Sequence, residues 1–182
     1  GADRSVQAAG SADLIAALRA KGLPMGILTR NSRRSVLRAM ARFDGIGPED
    51  FDLMVTRETE APPKPSPDGI LYAARHWQIG PQDLLVVGDY VFDIEAGRRA
   101  GAVTVLIDAA GGAASRRWEP DFVIASLLEL LPVVRLGTPM AGGKLPNDLL
   151  ADFFESLSDH TGEMLIRPGI GIVFTGNNAI HR

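Results

Sequence analysis

The sequence predicts an α/β fold in which a parallel β-sheet is covered by helices on both faces. Short apolar segments alternate with helical patterns through about residues 10–133, and this alternation is typical of βαβ units. The apolar segments are continuous, as expected for strands that are buried on both sides. The chain of 182 residues is long enough for one domain with a substantial core.

Five strands and the helices between them can be placed in order along the chain. The strands are predicted at residues 25–28, 52–56, 84–87, 103–107 and 121–124. The helices are predicted from Ser11 to Gly22, after Ser32, from Pro67 to about Trp77, from Val91 to Ala100, and after Ser126, which has capping-box spacing to Glu129. Ser11 and Ser32 are expected to cap their helices, because a serine hydroxyl accepts from a free amide of the first turn.

Composition and charge exclude several classes of protein. The net charge is −3 and the isoelectric point is about 5.6, which argues against broad binding to nucleic acids or membrane surfaces. The absence of cysteine rules out disulfides, thiolate metal sites and cysteine nucleophiles. Neither an apolar stretch of about 18 residues nor a secretory signal is visible, so a cytoplasmic protein without membrane contact is expected.

Polar side chains suited to binding phosphate follow the predicted strands. Thr29, Arg30 and Asn31 come directly after the strand 25–28, and Lys64 lies in a proline-rich loop after the strand 52–56. Ligands of parallel sheets bind at the carboxyl ends of the strands. A hydroxyl with the amides of a helix start can hold a phosphate, and a lysine can neutralise charge on its oxygens. Read separately, the threonine is commonly a helix cap and the lysine a solvated side chain.

Two carboxylates follow the strand 84–87 at the same predicted edge. Asp89 comes directly after Gly88, and Asp93 stands four residues later. Carboxylate oxygens at a strand end make a hard-oxygen site suited to Mg²⁺. The two acids could also serve only as complements of a helix dipole. Together with the hydroxyl and the ammonium group, they indicate a site for phosphoryl transfer.

Four segments resemble the core domain of the haloacid dehalogenase superfamily, in its phosphoglycolate-phosphatase-like branch. Residues 26–31 resemble the second motif of that family, residues 63–68 the third, residues 87–97 the fourth, and residues 120–130 its last strand and helix. The resemblance spans about residues 10–133 and implies a Rossmann-like sheet. We therefore expect residues 1–133 to form the core domain.

The resemblance implies a magnesium-dependent phosphatase that acts on a small phosphorylated metabolite through an aspartyl-phosphate intermediate. It implies catalytic roles for Lys64 and Thr29, phosphate binding by Thr29, Arg30, Asn31 and Lys64, and a Mg²⁺ site at Asp89 and Asp93. Two alternatives stay open. One is a non-catalytic module that binds phosphate, metal or a partner protein, and the other is a domain that serves a fused hydrogenase-maturation factor.

The sequence departs from the family pattern where the first motif and the cap domain should stand. That motif, of the type Asp-x-Asp-x-Thr/Val, supplies the nucleophile, and neither Asp3 nor Asp13 fits it. The first strand is therefore expected to be missing, which would expose the strands ending at Leu28 and Val87 and favour self-association. We also expect little or no phosphatase turnover from the 182-residue chain.

The last part of the chain has a different texture. Residues 134–145 are predicted to be a linker, and residues 146–182 a poorly packed extension that could be a truncated second domain. Residues 142–150 and 164–171 resemble the start of the hydrogenase-maturation dehydratase family, whose relatives bind ATP. The acidic pair that helps bind metal–ATP in that family is replaced here by residues 172–178, so no ATP binding is expected.

Overall fold

The computed structural model describes residues 7–111, 115–131 and 171–175, which form one six-stranded sheet with flanking helices. The strands are β1 (Met25–Leu28), β2 (Leu53–Val55), β3 (Leu84–Gly88), β4 (Val103–Ile107), β5 (Phe122–Ile124) and β6 (Gly171–Thr175). The α-helices are α1 (Ser11–Ala20), α2 (Arg33–Met40), α3 (Asp68–Trp77) and α4 (Val91–Ala100). Every strand pairing is parallel, in the order β2-β1-β6-β3-β4-β5. The α/β fold class and the parallel sheet are therefore confirmed.

Alternate side chains of the strands pack against helices on opposite faces of the sheet. On one face Leu85 and Val87 belong to a cluster with residues of α1 and α2. On the other face Leu84 and Val86 belong to a cluster with residues of α3 and α4. All four of these β3 side chains are at most 1% exposed. The continuous apolar run of this strand therefore reflects burial on both sides, as the sequence predicts.

The strand β6 corrects the expectation of a gap in the middle of the sheet. It lies between β1 and β3, with Ile27 beside Phe174 and Val86 beside Val173. All five residues of β6 are buried. The expected unpaired edges at Leu28 and Val87 are therefore absent from the described part of the chain, since both strands pair with β6. The same finding overturns, for residues 171–175, the expectation of a poorly packed extension.

Most element boundaries agree with the sequence to within one or two residues, but one predicted cap and one predicted helix differ. Ser32 caps α2 as predicted, accepting from the Ser35 amide at 3.1 Å. Ser11 does not cap α1, because Gly10 in the left-handed conformation takes that position and the Ser11 hydroxyl is buried without a hydrogen bond. The predicted terminal helix is a short 3₁₀ helix, Leu127–Leu130, whose Glu129 carboxylate accepts from the Ser126 amide at 3.2 Å. In the described ranges, none of the helices is long and apolar enough for a membrane span.

Candidate active site

The carboxyl edge of the sheet gathers the predicted site residues from three successive βα connections. Thr29 to Asn31 follow β1, Lys64 belongs to the loop between β2 and α3, and Asp89 follows β3. Since the strands are parallel, all three connections leave the sheet at the same edge. The topology therefore brings together residues that are up to 64 positions apart in the chain, from Thr29 to Asp93.

A buried ion pair between Lys64 and Asp93 forms the centre of this edge. The Lys64 ammonium nitrogen lies 2.5 Å from Asp93 Oδ1 and 3.4 Å from the Leu28 carbonyl oxygen. The two side chains are only 5% and 2% exposed. Charges buried to this extent need partners, since an unpaired one would pay a large desolvation cost. The pair thus fixes the ammonium group next to the end of β1.

The same Asp93 carboxylate also orders the loop that begins α4. Its Oδ2 accepts from the backbone amides of Asp89 and Tyr90, at 3.2 and 3.0 Å. Gly88 allows this close approach, because a Cβ there would lie 2.4 Å from the Asp93 Cβ. Both Asp93 oxygens are therefore engaged by protein groups, whereas the half-buried Asp89 stands next to Gly88 at the strand end.

The connection between β1 and α2 is a tight turn that the Thr29 side chain helps to close. The buried Thr29 hydroxyl accepts from the Asn31 amide at 3.1 Å, and the Thr29 amide donates to the Val55 carbonyl at 2.9 Å. Arg30 between them is exposed. This turn leads directly to the amino end of α2, where backbone N–H groups favour anions.

A cavity of about 260 Å³ opens at this edge, between the ends of β1 and β2. Its polar wall contains Thr29, Arg30 and Lys64, so three of the four predicted phosphate-binding residues share one cavity. The other wall residues are Leu28, Val55, Thr56, Arg57, Ala61, Pro62 and Pro63. Asn31 lies beside the cavity through its backbone contact with Thr29.

Sequence reasoning missed Thr175, the last residue of β6. Thr175 is 1% exposed, and its hydroxyl donates to the Val87 carbonyl at 3.3 Å. The Thr175 hydroxyl oxygen lies so close to Gly88 that a Cβ added there would be 2.5 Å from it. Asp93 packs against the same position. No local signal marks this residue, because its position depends on the pairing of β6 with strands about 90 to 150 residues away.

The side chains at this edge can supply only part of the coordination of a Mg²⁺ ion. Water and phosphate would have to supply the remaining ligands. Asp89 offers a carboxylate at the strand end, while the oxygens of Asp93 are used by Lys64 and two amides. Within the described ranges, His, Asp and Glu side chains form no group of three that could hold a metal ion. Mg²⁺ commonly binds through one or two carboxylates and keeps several waters. The residues present are compatible with that mode of binding.

Comparison with known proteins identifies the family to which the chain belongs. Residues 3–107 match the family of haloacid dehalogenase-like hydrolases. A haloacid dehalogenase-like hydrolase domain-containing protein of Arabidopsis thaliana is 34% identical over 127 residues, which cover 66% of this chain and 50% of that protein. The phosphoglycolate phosphatase of Escherichia coli K12 is 33% identical over 127 residues, with 69% and 50% covered.

A solved structure shows the same architecture. A CbbY mutant from Rhodobacter sphaeroides, crystallised with xylulose-(1,5)bisphosphate, superimposes with a TM-score of 0.61 at 25% identity, covering 68% of this chain and 55% of that one. The chain therefore belongs to the haloacid dehalogenase-like hydrolase family, and the predicted phosphoglycolate-phosphatase-like branch is confirmed. It spans about half the length of the curated relatives that it matches.

Proposed function

We propose that the protein is a magnesium-dependent phosphatase that acts on a small phosphorylated metabolite in the cytoplasm. The observation that carries the proposal is the convergence of Thr29, Lys64 and the Asp93–Asp89 loop at one edge of the sheet. A phosphatase of this kind needs groups that bind phosphate oxygens, a fixed positive charge and a metal site. Membership of a hydrolase family supports the same conclusion.

Each residue has a distinct task in this proposal. The Thr29 hydroxyl and the amides around Asn31 bind the oxygens of the phosphoryl group, and Arg30 borders the same cavity. Lys64 holds its ammonium group against these oxygens, where it stabilises the negative charge that develops during transfer. Asp93 is a positioning residue, because it fixes both Lys64 and the backbone that carries Asp89.

Asp89 would bind Mg²⁺ directly. Asp93 would support the site either through a bound water or by holding the loop that carries Asp89. When bound, the ion polarises a phosphoryl oxygen and neutralises part of its charge. Asp89 contributes one carboxylate to this arrangement, so the affinity for metal alone is expected to be weak. Phosphate and metal should therefore strengthen each other's binding.

A second candidate function is a module that binds phosphate without cleaving it. The observation in its favour is Thr175, because the central strand of the described sheet ends in a hydroxyl instead of a carboxylate. The covalent route of this family requires an aspartate that attacks phosphorus. Asp93 is held by Lys64 and is therefore a poor base for activating the Thr175 hydroxyl. In this second candidate function the chain would bind phosphate with little or no turnover.

Isothermal titration of the chain with inorganic phosphate, with and without Mg²⁺, tests the proposed site. Asp89→Asn should weaken the magnesium-dependent binding by about tenfold or more. Asp83→Asn is the matched control, since Asp83 precedes the same strand at its opposite end, and it should bind like the unaltered protein. Equal binding by the Asp89→Asn variant would refute the metal site. Magnesium-dependent hydrolysis of p-nitrophenyl phosphate above the Asp89→Asn level would instead exclude the non-cleaving module.

A further inference from the structure

The outer face of α2 carries cationic side chains that form no salt bridge within the described ranges. The inner side of this helix packs into the core, and its exposed side carries Arg33, Arg34, Leu37 and Arg38, which we call the arginine face. Arg34 and Arg38 are four residues apart, so their side chains are neighbours on the helix surface. The salt bridges that the described residues form leave out all three arginines of this face. The arginine face therefore presents three cations to the solvent.

The sequence of α2 places these charges where they weaken the helix itself. The helices α1, α3 and α4 each have an aspartate in the first turn and basic residues in the last turn. By contrast, α2 has no acid in its first turn and begins with Arg33 and Arg34. Cations at the amino end oppose the helix dipole, and like charges four residues apart repel each other. Since such local conflicts are expected at functional surfaces, this one indicates a role for the arginine face outside the helix.

Glu58 contacts α2 from the loop after β2, but it contacts the backbone. Its carboxylate accepts from the Arg33 amide at 3.1 Å, at the start of the helix. This bond satisfies one of the free amides of the first turn. Arg34 and Arg38 lie further along the exposed side of the helix. An anion that neutralises the arginine face would therefore have to come from outside the described residues.

We propose that the arginine face is a docking surface for an acidic amphipathic segment of a partner protein. A planar guanidinium forms two parallel hydrogen bonds with a carboxylate, so Arg34 and Arg38 suit aspartate or glutamate side chains. Leu37, which is 37% exposed, lies on the same face and offers an apolar contact. The complementary surface is therefore an apolar side chain flanked by carboxylates.

The charge of the whole chain favours a short acidic peptide over a long polymer of phosphates or an anionic membrane. The net charge is −3, so a polyanion that extends beyond α2 meets a surface that repels it. A short segment feels mainly the charges within the screening length, which is about 8 Å at physiological salt. Leu37 also gains an apolar contact from a peptide side chain, whereas a phosphate backbone offers none.

Two synthetic peptides of identical composition test the proposal. The first has a leucine stripe flanked by glutamates at helical spacing, and the second has the same residues in an order without a stripe. Calorimetric titration of the full chain at about 0.15 M salt should show the first peptide binding about tenfold tighter than the second. Binding should weaken several-fold at about 1 M salt, because exposed charges are then screened.

Variants of the arginine face separate its charge from its apolar contact. Arg34→Gln/Arg38→Gln should weaken the amphipathic peptide by about tenfold or more, because two charged hydrogen bonds are lost. Arg34→Lys/Arg38→Lys should give an intermediate affinity, since it keeps the charge without the planar geometry. Leu37→Gln should reduce the preference between the two peptides to less than about twofold. Arg75→Gln/Arg117→Gln is the matched control, because it removes the same charge from two exposed arginines outside α2 and should bind like the unaltered protein.

Several results would overturn the docking surface. One is equal affinity for the two peptides, and another is equal weakening by the two double glutamine variants. Tighter binding of a double-stranded oligonucleotide or of anionic phospholipid vesicles, lost in Arg34→Gln/Arg38→Gln, would assign the arginine face to a phosphate-bearing partner instead. Self-association that the same variant abolishes would place a second copy of the chain there and would also contradict the proposal. None of these measurements depends on the proposed phosphatase function.

Discussion

Two regions meet at the carboxyl edge of the sheet, and they differ in how local sequence determines them. The loops after β1, β2 and β3, which we call the edge loops (residues 29–32, 56–67 and 89–90), contain the predicted phosphate and metal residues. The central strand β6 comes from residues 171–175, beyond the rest of the described domain. The edge loops carry polar groups in fixed local arrangements, whereas β6 is determined by burial between two distant strands. In this molecule, local sequence therefore predicts the polar residues of the edge loops more easily than it predicts the strand that completes the core.

The largest expected effect tests the ion pair that joins the edge loops to α4. Lys64→Met leaves the Asp93 carboxylate buried without a cation, and this should lower the free energy of unfolding by about 3–5 kcal/mol. Phosphate binding should be lost in the same variant. Urea denaturation and phosphate titration measure the two effects. 

The double variant Lys64→Met/Asp93→Asn is the control for this experiment. It removes both charges, so its loss of stability should be smaller than the sum of the losses caused by Lys64→Met alone and Asp93→Asn alone. Additive losses would show that Lys64 and Asp93 act independently, contrary to their 2.5 Å contact.

The next largest effect tests whether β6 belongs to the core. Ile172 is 2% exposed within the cluster that includes Leu85 and Val87. Ile172→Ala should lower the free energy of unfolding by about 3 kcal/mol, through lost apolar burial and the cavity left behind. Leu128→Ala is the control, because Leu128 is 46% exposed and should change stability by less than about 0.5 kcal/mol. If the two variants were equally stable, β6 would not be part of the folded core.

Local signals allowed the fold class and most of the edge loops to be predicted. The run at residues 84–87 and the helix at residues 91–100 have clear periodicity, and Ser32 has a standard capping position. The sequence does not predict the pairing of Lys64 with Asp93, because it indicates phosphate binding for Lys64 and Mg²⁺ binding for Asp93. That pairing arises from the burial of both side chains, which the sequence spacing does not show.

The position of β6 could not be predicted for a different physical reason. The glycine-rich segment 167–176 has an apolar run but no neighbouring element that could pair with it locally. Gly171 packs closely against Trp77, since a Cβ there would lie 2.5 Å from the indole ring. Such tertiary contacts can form only when β1 and β3 are already in place, so the local sequence does not predict them. The domain boundaries at residues 133 and 145 lie outside the described residues and stay predictions. The hydrogenase-maturation resemblance also stays a prediction, because only its last part, from residue 171, lies in the described residues.

The smallest expected effect concerns the attachment of the edge loop after β2 to α2. Hydrogen bonds from the Arg33 amide and the Thr56 side chain lower the pKa of Glu58 from its usual 4.5. A carboxyl group with a lowered pKa in the folded state stabilises that state above pH 4.5, and its contribution disappears as the pH falls through the lowered value. The unaltered protein should therefore lose its advantage in stability over Glu58→Gln as the pH falls from about 5 through the lowered pKa of Glu58. Glu60→Gln, at an exposed acid two residues further on, is the matched control and should follow the unaltered protein. Denaturation midpoints across this pH range measure the difference, and a constant gap between the protein and its Glu58→Gln variant would show that Glu58 does not hold the turn against α2.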